Sequence, residues 1–381
     1  MQFVYYCIYL YLLLKPFYIF QSGSIQPSDI FLLLGFFAIL LVTHKNKSIL
    51  IKKITDNKYF FFFLLMSFSI NTIYYILLGN FKFILSSLYI LFNFWGIIVF
   101  SVCFENEKFI VNISKILRID LFIQLFVYFT NFGRYYGAYR YMGTFNDPNQ
   151  FGYFVLISLT FIYLINDKVK SNHKEIIITF LAIFLILQSA STGMLMGLLI
   201  LLGVRLYRYS ESKKFFKYIS AFLIIAALFG YIVTGNQLKE FLNNNDNFLI
   251  SRINDKFNRV KTSSNGPTLI QERGYDKIIK NPKYILYGSG EGVYERFNGY
   301  TDIEIHATFP SLLFYYGLFP FIMLVKWIYY KLKYNKLISI SLVIPLFVES
   351  FTLLNQRQVL FWVIILFYEF IRNEGTKKYD N

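Results

Sequence analysis

The sequence predicts an all-α membrane protein with about twelve transmembrane helices. Of its 381 residues, 56% are hydrophobic and 16% are charged, whereas a soluble domain carries about 25% charged residues. The apolar residues come in blocks of about 17–22, the length that a helix needs to cross roughly 30 Å of hydrocarbon. A soluble core would show shorter, amphipathic blocks. We therefore expect the whole chain, 1–381, to form a single integral membrane domain.

Twelve apolar blocks are expected to span the bilayer. The first block has no basic segment before it and no small-residue cleavage site, which favours a retained span over a signal peptide. The predicted spans are 3–20, 29–43, 59–78, 83–104, 112–131, 150–166, 176–190, 192–207, 217–234, 308–330, 337–354 and 358–371.

The distribution of Lys and Arg predicts the orientation. With the N-terminus in the cytoplasm, the inner loops and termini hold 22 basic residues, while the short outer loops hold only Lys82, Arg134, Arg140 and Arg357. This asymmetry follows the positive-inside rule and places both termini on the cytoplasmic side of a bacterial inner membrane. It also accounts for the net charge of +16 without a nucleic-acid partner.

One large hydrophilic loop, at about 235–307, falls outside, in the periplasm, between the ninth and tenth predicted spans. It is too long for a simple turn and mixes polar with apolar residues, so it is expected to fold in part. The segment 272–280 is typical of a short helix that ends at an Asn-Pro pair. Tyr284–Tyr287 is expected to be extended, and Gly288–Gly292 to form a turn.

Arginines in the outer segments are candidates for binding an anion. Arg134 and Arg140 flank a tyrosine-rich stretch, and Arg252, Arg259 and Arg273 lie in the large loop. The guanidinium group binds phosphate through a planar fork, and nearby aromatic side chains suit sugar rings or the lipid interface. A solvated surface explains any single one of them equally well. The prediction of an anionic substrate therefore rests on the group.

A polar turn lies at the outer mouth of the sixth predicted span. Asn146, Asp147 and Asn149 surround Pro148, and these residue types favour turns because they bond the local backbone or fix φ. One interpretation is a helix N-cap at the membrane surface. The other is that these side chains touch a polar ligand at the mouth.

Of the three histidines, His306 lies outside, two residues before the tenth predicted span and close to acidic residues. A histidine of near-neutral pKa beside carboxylates can act as a general base, although a structural interfacial histidine fits the pattern too. The Gly288–Gly292 turn lacks the Lys-Ser/Thr pair of a nucleotide-binding loop. The sequence shows no metal-ligating motif and no nucleophile elbow, so no metal or cofactor is predicted.

Charged residues within the predicted spans are expected to face the protein interior or to reach the interface. Glu349 stands in an apolar stretch and is expected to face the interior. Arg118 and Asp120 lie near the inner edge of a span and are expected to extend to the interface.

The chain resembles the O-antigen polymerase and ligase group, membrane glycosyltransferases that use polyprenyl-diphosphate-linked glycans. The order of the matching segments, the twelve-span layout and the loop position all agree with this group. In one departure, the family often has an arginine directly before a Ser/Thr-Gly pair, where this chain has Ser191. The matching segments are Phe145–Gly152, Ser191-Thr192-Gly193, the run from Arg273 through Asn281-Pro282 to Gly288-Ser289-Gly290, and His306 ahead of Phe314–Leu318.

The resemblance implies an activity. The donor would be an undecaprenyl-diphosphate-linked oligosaccharide at the outer face of the inner membrane. The hydroxyl of a second lipid-linked repeat unit would attack its anomeric carbon, without a metal. His306 would accept the proton, with Glu304 as a second candidate. Arg273, followed by Arg252, would bind the diphosphate, and Arg252 or Arg259 would supply the charge that is missing at Ser191.

The resemblance leaves three functions open. A polymerase that extends O-antigen or capsular polysaccharide is the leading hypothesis, and a chain-length regulator would be its protein partner. A ligase that transfers finished glycan to the lipid A core is the nearest alternative. A lipid-linked oligosaccharide flippase is the third, but it is expected to place several charges within spans around a cavity. Here most of the polarity lies in one outer loop.

Overall fold

The computed structural model describes residues 1–21, 24–44, 47–137, 140–169, 175–208, 268–335, 340–351 and 353–371. The predicted ninth span, 217–234, and the first half of the large loop lie outside the described residues.

Helices make up most of the described chain. Up to residue 208 they are α1 (Gln2–Leu14), α2 (Pro27–Thr43), α3 (Lys47–Asp56), α4 (Lys58–Leu78), α5 (Lys82–Cys103), α6 (Glu107–Phe129), α7 (Pro148–Val169), α8 (Glu175–Ser189) and α9 (Thr192–Arg208). From residue 268 onward they are α10 (Leu269–Glu272), α11 (Tyr275–Lys280), α12 (Tyr284–Tyr287), α13 (Thr308–Tyr316), α14 (Leu318–Leu332), α15 (Ile344–Glu349) and α16 (Val359–Ile371), with 3-10 turns at Tyr294–Phe297 and Ser341–Val343.

Three of the described helices are long and apolar enough to cross a membrane, namely α4, α5 and α7, with 21, 22 and 22 residues. Five others, α1, α2, α8, α9 and α16, are apolar but have 10–17 residues in their apolar stretch. The predicted all-α class agrees with this architecture. The count of about twelve spans and their orientation stay predictions.

Several predicted spans are not single helices. The helix α1 ends at Leu14 instead of residue 20, just before Pro16, which has no N–H to continue the helical hydrogen bonds. The predicted span 308–330 is divided at Gly317, whose φ is 77°. The predicted span 337–354 contains a 3-10 turn followed by the six-residue helix α15.

In the large loop, the predicted helix 272–280 is divided into α10 and α11 by Gly274, at φ 73°. The prediction that Tyr284–Tyr287 is extended is wrong, because this segment forms α12. Its first amide groups donate to the carbonyls of Asn281, Pro282 and Lys283, at 3.0–3.2 Å. The proline that ends α11 therefore also starts the next helical turn.

A short antiparallel hairpin joins α6 to α7. Its strands are β1 (Arg134–Tyr136) and β2 (Arg140–Gly143). The ring of Tyr141 packs so closely on Gly133 that a Cβ there would lie 2.2 Å from it. The hairpin thereby positions the segment that leads into α7.

Two helices form the centre of the bundle. In α7 all residues from 151 to 166 are buried, and so are all residues from 359 to 368 in α16. The helices α5, α6, α8, α9 and α14 pack around this pair. A helix that is apolar on all sides belongs inside a larger assembly of helices, as these two are.

The charged residues within the predicted spans differ in their burial and contacts. Glu349 is 1% exposed and lies against Gly197 of α9, so its expected interior position is confirmed. The expectation that Asp120 reaches the interface is wrong: it is fully buried on α6, which packs against α1, α7 and α8. Arg118 is half-buried and donates to the side-chain oxygen of Asn166 at 2.7 Å.

Candidate functional site

A cavity of about 870 Å³ lies where the loop after α1, the helix α5, the turn before α7, the second half of the large loop and the segment before α16 meet. This volume falls within the range of small-molecule sites in proteins, roughly 300–1,000 Å³. Side chains of α2 and α7 line it as well.

The cavity has an apolar side and a polar end. The apolar side is formed by α2, through Leu33, and by α5, through Leu85, Leu88, Phe92 and Trp95. The spacing of the four α5 residues places them on one face of that helix. The polar end is formed by Lys15, Asp29, Asn146, Asp147, Asn149, Arg273, Glu304, His306 and Arg357.

Arg273 and His306 are brought together by the backbone of the large loop. The N–H of His306 donates to the carbonyl of Arg273 at 3.0 Å. The next residue, Gly274, has φ 73°, and a Cβ there would lie 3.4 Å from the carbonyl oxygen of Glu304. Glycine is therefore suited to this close approach. The three catalytic candidates chosen from the sequence, Arg273, Glu304 and His306, thus share one cavity.

The environment of His306 favours its neutral form. Burial lowers the pKa of His306 below its ordinary value of 6.5, and the positive charges of Arg273 and Lys277 lower it further. The carboxylates of Glu304 and Asp147 act in the opposite direction without restoring it. At neutral pH the imidazole is therefore unprotonated, which is the state that a general base requires.

Arg357 lies at the centre of the polar end. Its Nη2 donates to Glu291 Oε1 at 2.7 Å, to Glu304 Oε2 at 2.8 Å and to the hydroxyl of Tyr294 at 3.1 Å. Burial would lower the pKa of Arg357, but the two carboxylates outweigh it and raise the pKa, so the guanidinium stays charged. From the sequence, Arg357 drew attention only as a basic residue in a short outer loop.

Glu291, a residue that sequence reasoning missed, anchors Arg357 from the glycine-rich turn. Its Oε1 also accepts from Gln356 Nε2 at 2.9 Å, and its Oε2 accepts from the hydroxyl of Tyr316 at 2.5 Å. Its own N–H donates to Asn71 Oδ1 at 2.9 Å. Every one of these groups comes from another part of the chain, so the sequence contains no local signal for this network.

The turn that carries Glu291 is held by backbone contacts. The N–H groups of Ser289 and Gly290 donate to the carbonyl of Tyr315 at 3.0 and 2.8 Å. A Cβ at Gly288 would lie 2.7 Å from the same carbonyl oxygen. Arg296 donates to the carbonyls of Ser289 and Gly290. The Gly-Ser-Gly-Glu-Gly turn therefore directs a carboxylate into the protein.

The polar turn before α7 is a helix cap, as one of the two sequence interpretations has it. Asp147 Oδ1 accepts from the N–H groups of Asn149 and Gln150, at 2.7 and 3.0 Å. The amide of Asn146 donates to the carbonyl of Phe20 at 2.6 Å. Asn146, Asp147 and Asn149 all line the cavity, so the second interpretation, contact with a ligand, is compatible with the cap.

The two hairpin arginines support this turn from outside the cavity lining. Arg134 is exposed and donates to the carbonyl of Tyr18 at 3.0 Å and to Asn146 Oδ1. Arg140 is 4% exposed, and its Nη2 donates to Asn149 Oδ1 at 2.9 Å. Arg252 and Arg259 lie outside the described residues.

The sequence resemblance predicts that an arginine from the large loop supplies the charge that Ser191 does not carry. The hydroxyl of Ser191 donates to Asn149 Oδ1 at 3.0 Å, the oxygen that also accepts from Arg140. The Nε of Arg140 donates to the carbonyl of Ser189 at 3.3 Å. A buried arginine therefore does lie beside Ser191, but it is contributed by β2.

Comparisons of the chain with family models, with curated proteins and with solved structures find no match. Within the described ranges, His, Cys, Asp and Glu side chains form no group of three or more that could hold a metal ion.

Proposed function

We propose that this protein is a bacterial inner-membrane glycosyltransferase that polymerises undecaprenyl-diphosphate-linked oligosaccharide repeat units into O-antigen or capsular polysaccharide. The observation that carries the proposal is the cavity that Arg273, Arg357 and His306 line together with apolar side chains of α2 and α5. A substrate that fits has an anionic head, hydroxyl groups nearby and a long hydrocarbon tail. A polyprenyl-diphosphate glycan has all three.

The polar end supplies what a direct, inverting attack at the sugar carbon needs. His306 takes the proton of the acceptor hydroxyl as its oxygen bonds to the anomeric carbon of the donor. The bond from that carbon to the diphosphate oxygen breaks, and the electron pair leaves with the diphosphate. Arginine side chains stabilise the charge that develops on the leaving group. Glu304, the second candidate for the base, is hydrogen-bonded to Arg357, so the proposal gives the base role to His306.

The apolar wall would hold the hydrocarbon tail of the polyprenyl-diphosphate substrate. Leu85 and Leu88 are 44% and 45% exposed, and they continue the cavity along α5. Exposed leucines on this face are favourable if lipid covers them. The prenyl chain would lie along α5, with its diphosphate at Arg273.

Deletion of the gene tests the function class. Loss of a polymerase leaves surface glycan one repeat long, and loss of a ligase leaves no glycan attached. Loss of a flippase makes lipid-linked repeat units accumulate on the inner leaflet. A glycan of one repeat supports the proposal, and either other result contradicts it.

Substitution tests the site. His306→Ala and Arg273→Ala are expected to abolish long polymer at normal protein levels. Lys283→Ala is the matched control, because Lys283 is an exposed cation of the same loop that does not line the cavity. If both site variants keep full polymer length, this site assignment is wrong.

A further inference from the structure

Arg357 is bound by two carboxylates that differ in how firmly they are held. The side chain of Glu291 is 3% exposed, whereas that of Glu304 is 22% exposed. Glu291 accepts from Gln356 and Tyr316 in addition to Arg357. Glu304 accepts a single side-chain hydrogen bond from the described residues, that of Arg357 at 2.8 Å. One carboxylate is therefore built into the protein, and the other faces the cavity.

An anionic ligand that binds beside Glu304 is repelled by its carboxylate. Glu304 lines the cavity together with Arg273 and His306, so a phosphate group placed there meets a carboxylate in a partly buried setting, where charge repulsion is strong. The same position offers the guanidinium of Arg357, and its Nε is buried and without a hydrogen-bond partner among the described residues. If the ligand takes the place of Glu304 on Arg357, the carboxylate moves away from the anion, which weakens the repulsion, and Arg357 keeps a negatively charged partner.

We propose that Arg357 is an anion-binding residue of this site and that Glu304 is its displaceable partner. In the structure Glu304 accepts a hydrogen bond from Nη2 of Arg357. A phosphate group of the lipid substrate takes the place of Glu304 on the guanidinium, while Glu291 keeps Arg357 in position. This proposal rests on the proposed function, because it takes a polyprenyl diphosphate as the anion.

The exchange has a second consequence for His306. Glu304 already acts electrostatically on His306, in the direction that raises the pKa of the imidazole. When Glu304 leaves Arg357, it loses its positive partner and remains next to His306. Binding of the donor would thereby strengthen the base that receives the acceptor's proton.

The test is direct binding of farnesyl diphosphate to the purified full chain in lipid nanodiscs, measured by isothermal titration, with farnesol as the uncharged reference. Wild type is expected to prefer the diphosphate. Arg357→Gln is expected to weaken diphosphate binding at least about tenfold, and Arg357→Lys to retain part of it as a point charge. Glu304→Gln is expected to bind the diphosphate more tightly than wild type. Lys283→Gln controls for the loss of one positive charge in the loop.

The Glu304 variant tests whether the carboxylate competes with the ligand. Unchanged or weaker binding in Glu304→Gln overturns the proposal, because exchange requires this competition. Unchanged binding in Arg357→Gln overturns it as well and leaves the proposed function intact. If wild type binds farnesol as tightly as farnesyl diphosphate, this inference and the proposed substrate class both fail.

Discussion

Two arginines, each bound by two carboxylates, lie at opposite ends of α7: Arg205 is fully buried, whereas the side chain of Arg357 is 24% exposed. Arg205, at the far end, binds Glu175 through two hydrogen bonds of 2.8 Å and Asp167 through one of 2.7 Å. Arg357, at the cavity end, binds Glu291 and Glu304 through a single nitrogen. The 22 residues of α7 separate the two ends by about 33 Å.

The difference between the two clusters is access. The cluster of Arg205 is closed: Tyr163 covers the guanidinium with its ring centroid at 4.6 Å, and Asn166 donates to Glu175 at 2.8 Å. The Nε and Nη2 atoms of Arg205 each donate to one carboxylate oxygen of Glu175, which is the paired geometry that a guanidinium group forms with a carboxylate. The cluster of Arg357 has one carboxylate on the wall of a cavity. The same combination of one arginine and two carboxylates therefore stabilises the packing at one end of α7. At the other end, as we propose, it allows a ligand to exchange with one carboxylate.

The first prediction compares the same change at both arginines. Arg205→Met is expected to lower the free energy of unfolding by about 3–5 kcal/mol, because it removes the positive charge that pairs with the carboxylates of Glu175 and Asp167 inside the protein. Arg357→Met is expected to cost less stability, because Glu304 can turn into the cavity and Glu291 keeps Gln356 and Tyr316. Thermal unfolding of the purified variants measures the first effect, and polymer length in cells measures the function of each. Equal losses of stability would contradict the distinction between a closed and an open cluster.

The second prediction concerns the base. His306→Asn is expected to reduce the transfer rate by about 10²–10⁴-fold, the usual contribution of general acid–base catalysis. Its stability should stay close to that of wild type, because His306 is half-buried and its backbone bond to Arg273 does not depend on the side chain. A rate assay in nanodiscs with lipid-linked repeat units provides the measurement. A variant that melts as early as Arg205→Met would indicate a structural role instead.

The third prediction uses pH. Because the pKa of His306 lies below 6.5, the neutral base persists through neutral pH, and the transfer rate should fall only on the acid side. Glu304 raises that pKa, so Glu304→Gln is expected to move the acid limb of the pH–rate profile to lower pH. Lys283→Gln should leave the limb in place. A shift to higher pH in Glu304→Gln would show that Glu304 acts on His306 in the opposite sense.

The smallest expected effect is at the helix cap. Asp147→Ala is expected to destabilise the start of α7 by about 1 kcal/mol, because two amide groups lose their acceptor. Asp147→Asn keeps an acceptor oxygen and should restore most of that stability. If Asp147→Asn is stable but makes shorter polymer, the carboxylate itself acts on the ligand. If Asp147→Ala and Asp147→Asn have the same thermal stability and the same polymer length, the hydrogen bonds of Asp147 do not stabilise the start of α7.

The candidate site shows which signals are local. Turn chemistry, position outside the predicted spans and proximity to the tenth span were enough to select His306, Arg273 and the residues of the polar turn, and these residues line the cavity. Arg134 and Arg140 have the same sequence signal but support the turn through hydrogen bonds to Asn146 and Asn149. Residue type and neighbourhood could not tell a ligand-facing arginine from a supporting one.

Block length and residue type alone determined the helical class and the existence of helices that can cross a membrane, and they offered the cap at Asp147 as one of two interpretations, because hydrogen-bonded helices and turns depend on neighbouring residues. The pairing of charges was decided by the tertiary structure. Glu291 and Arg357 are 66 residues apart, and Arg205 and Glu175 are 30 apart. Whether such a pair is closed or faces a cavity depends on how distant segments pack, and the energy of a buried charge depends on that packing.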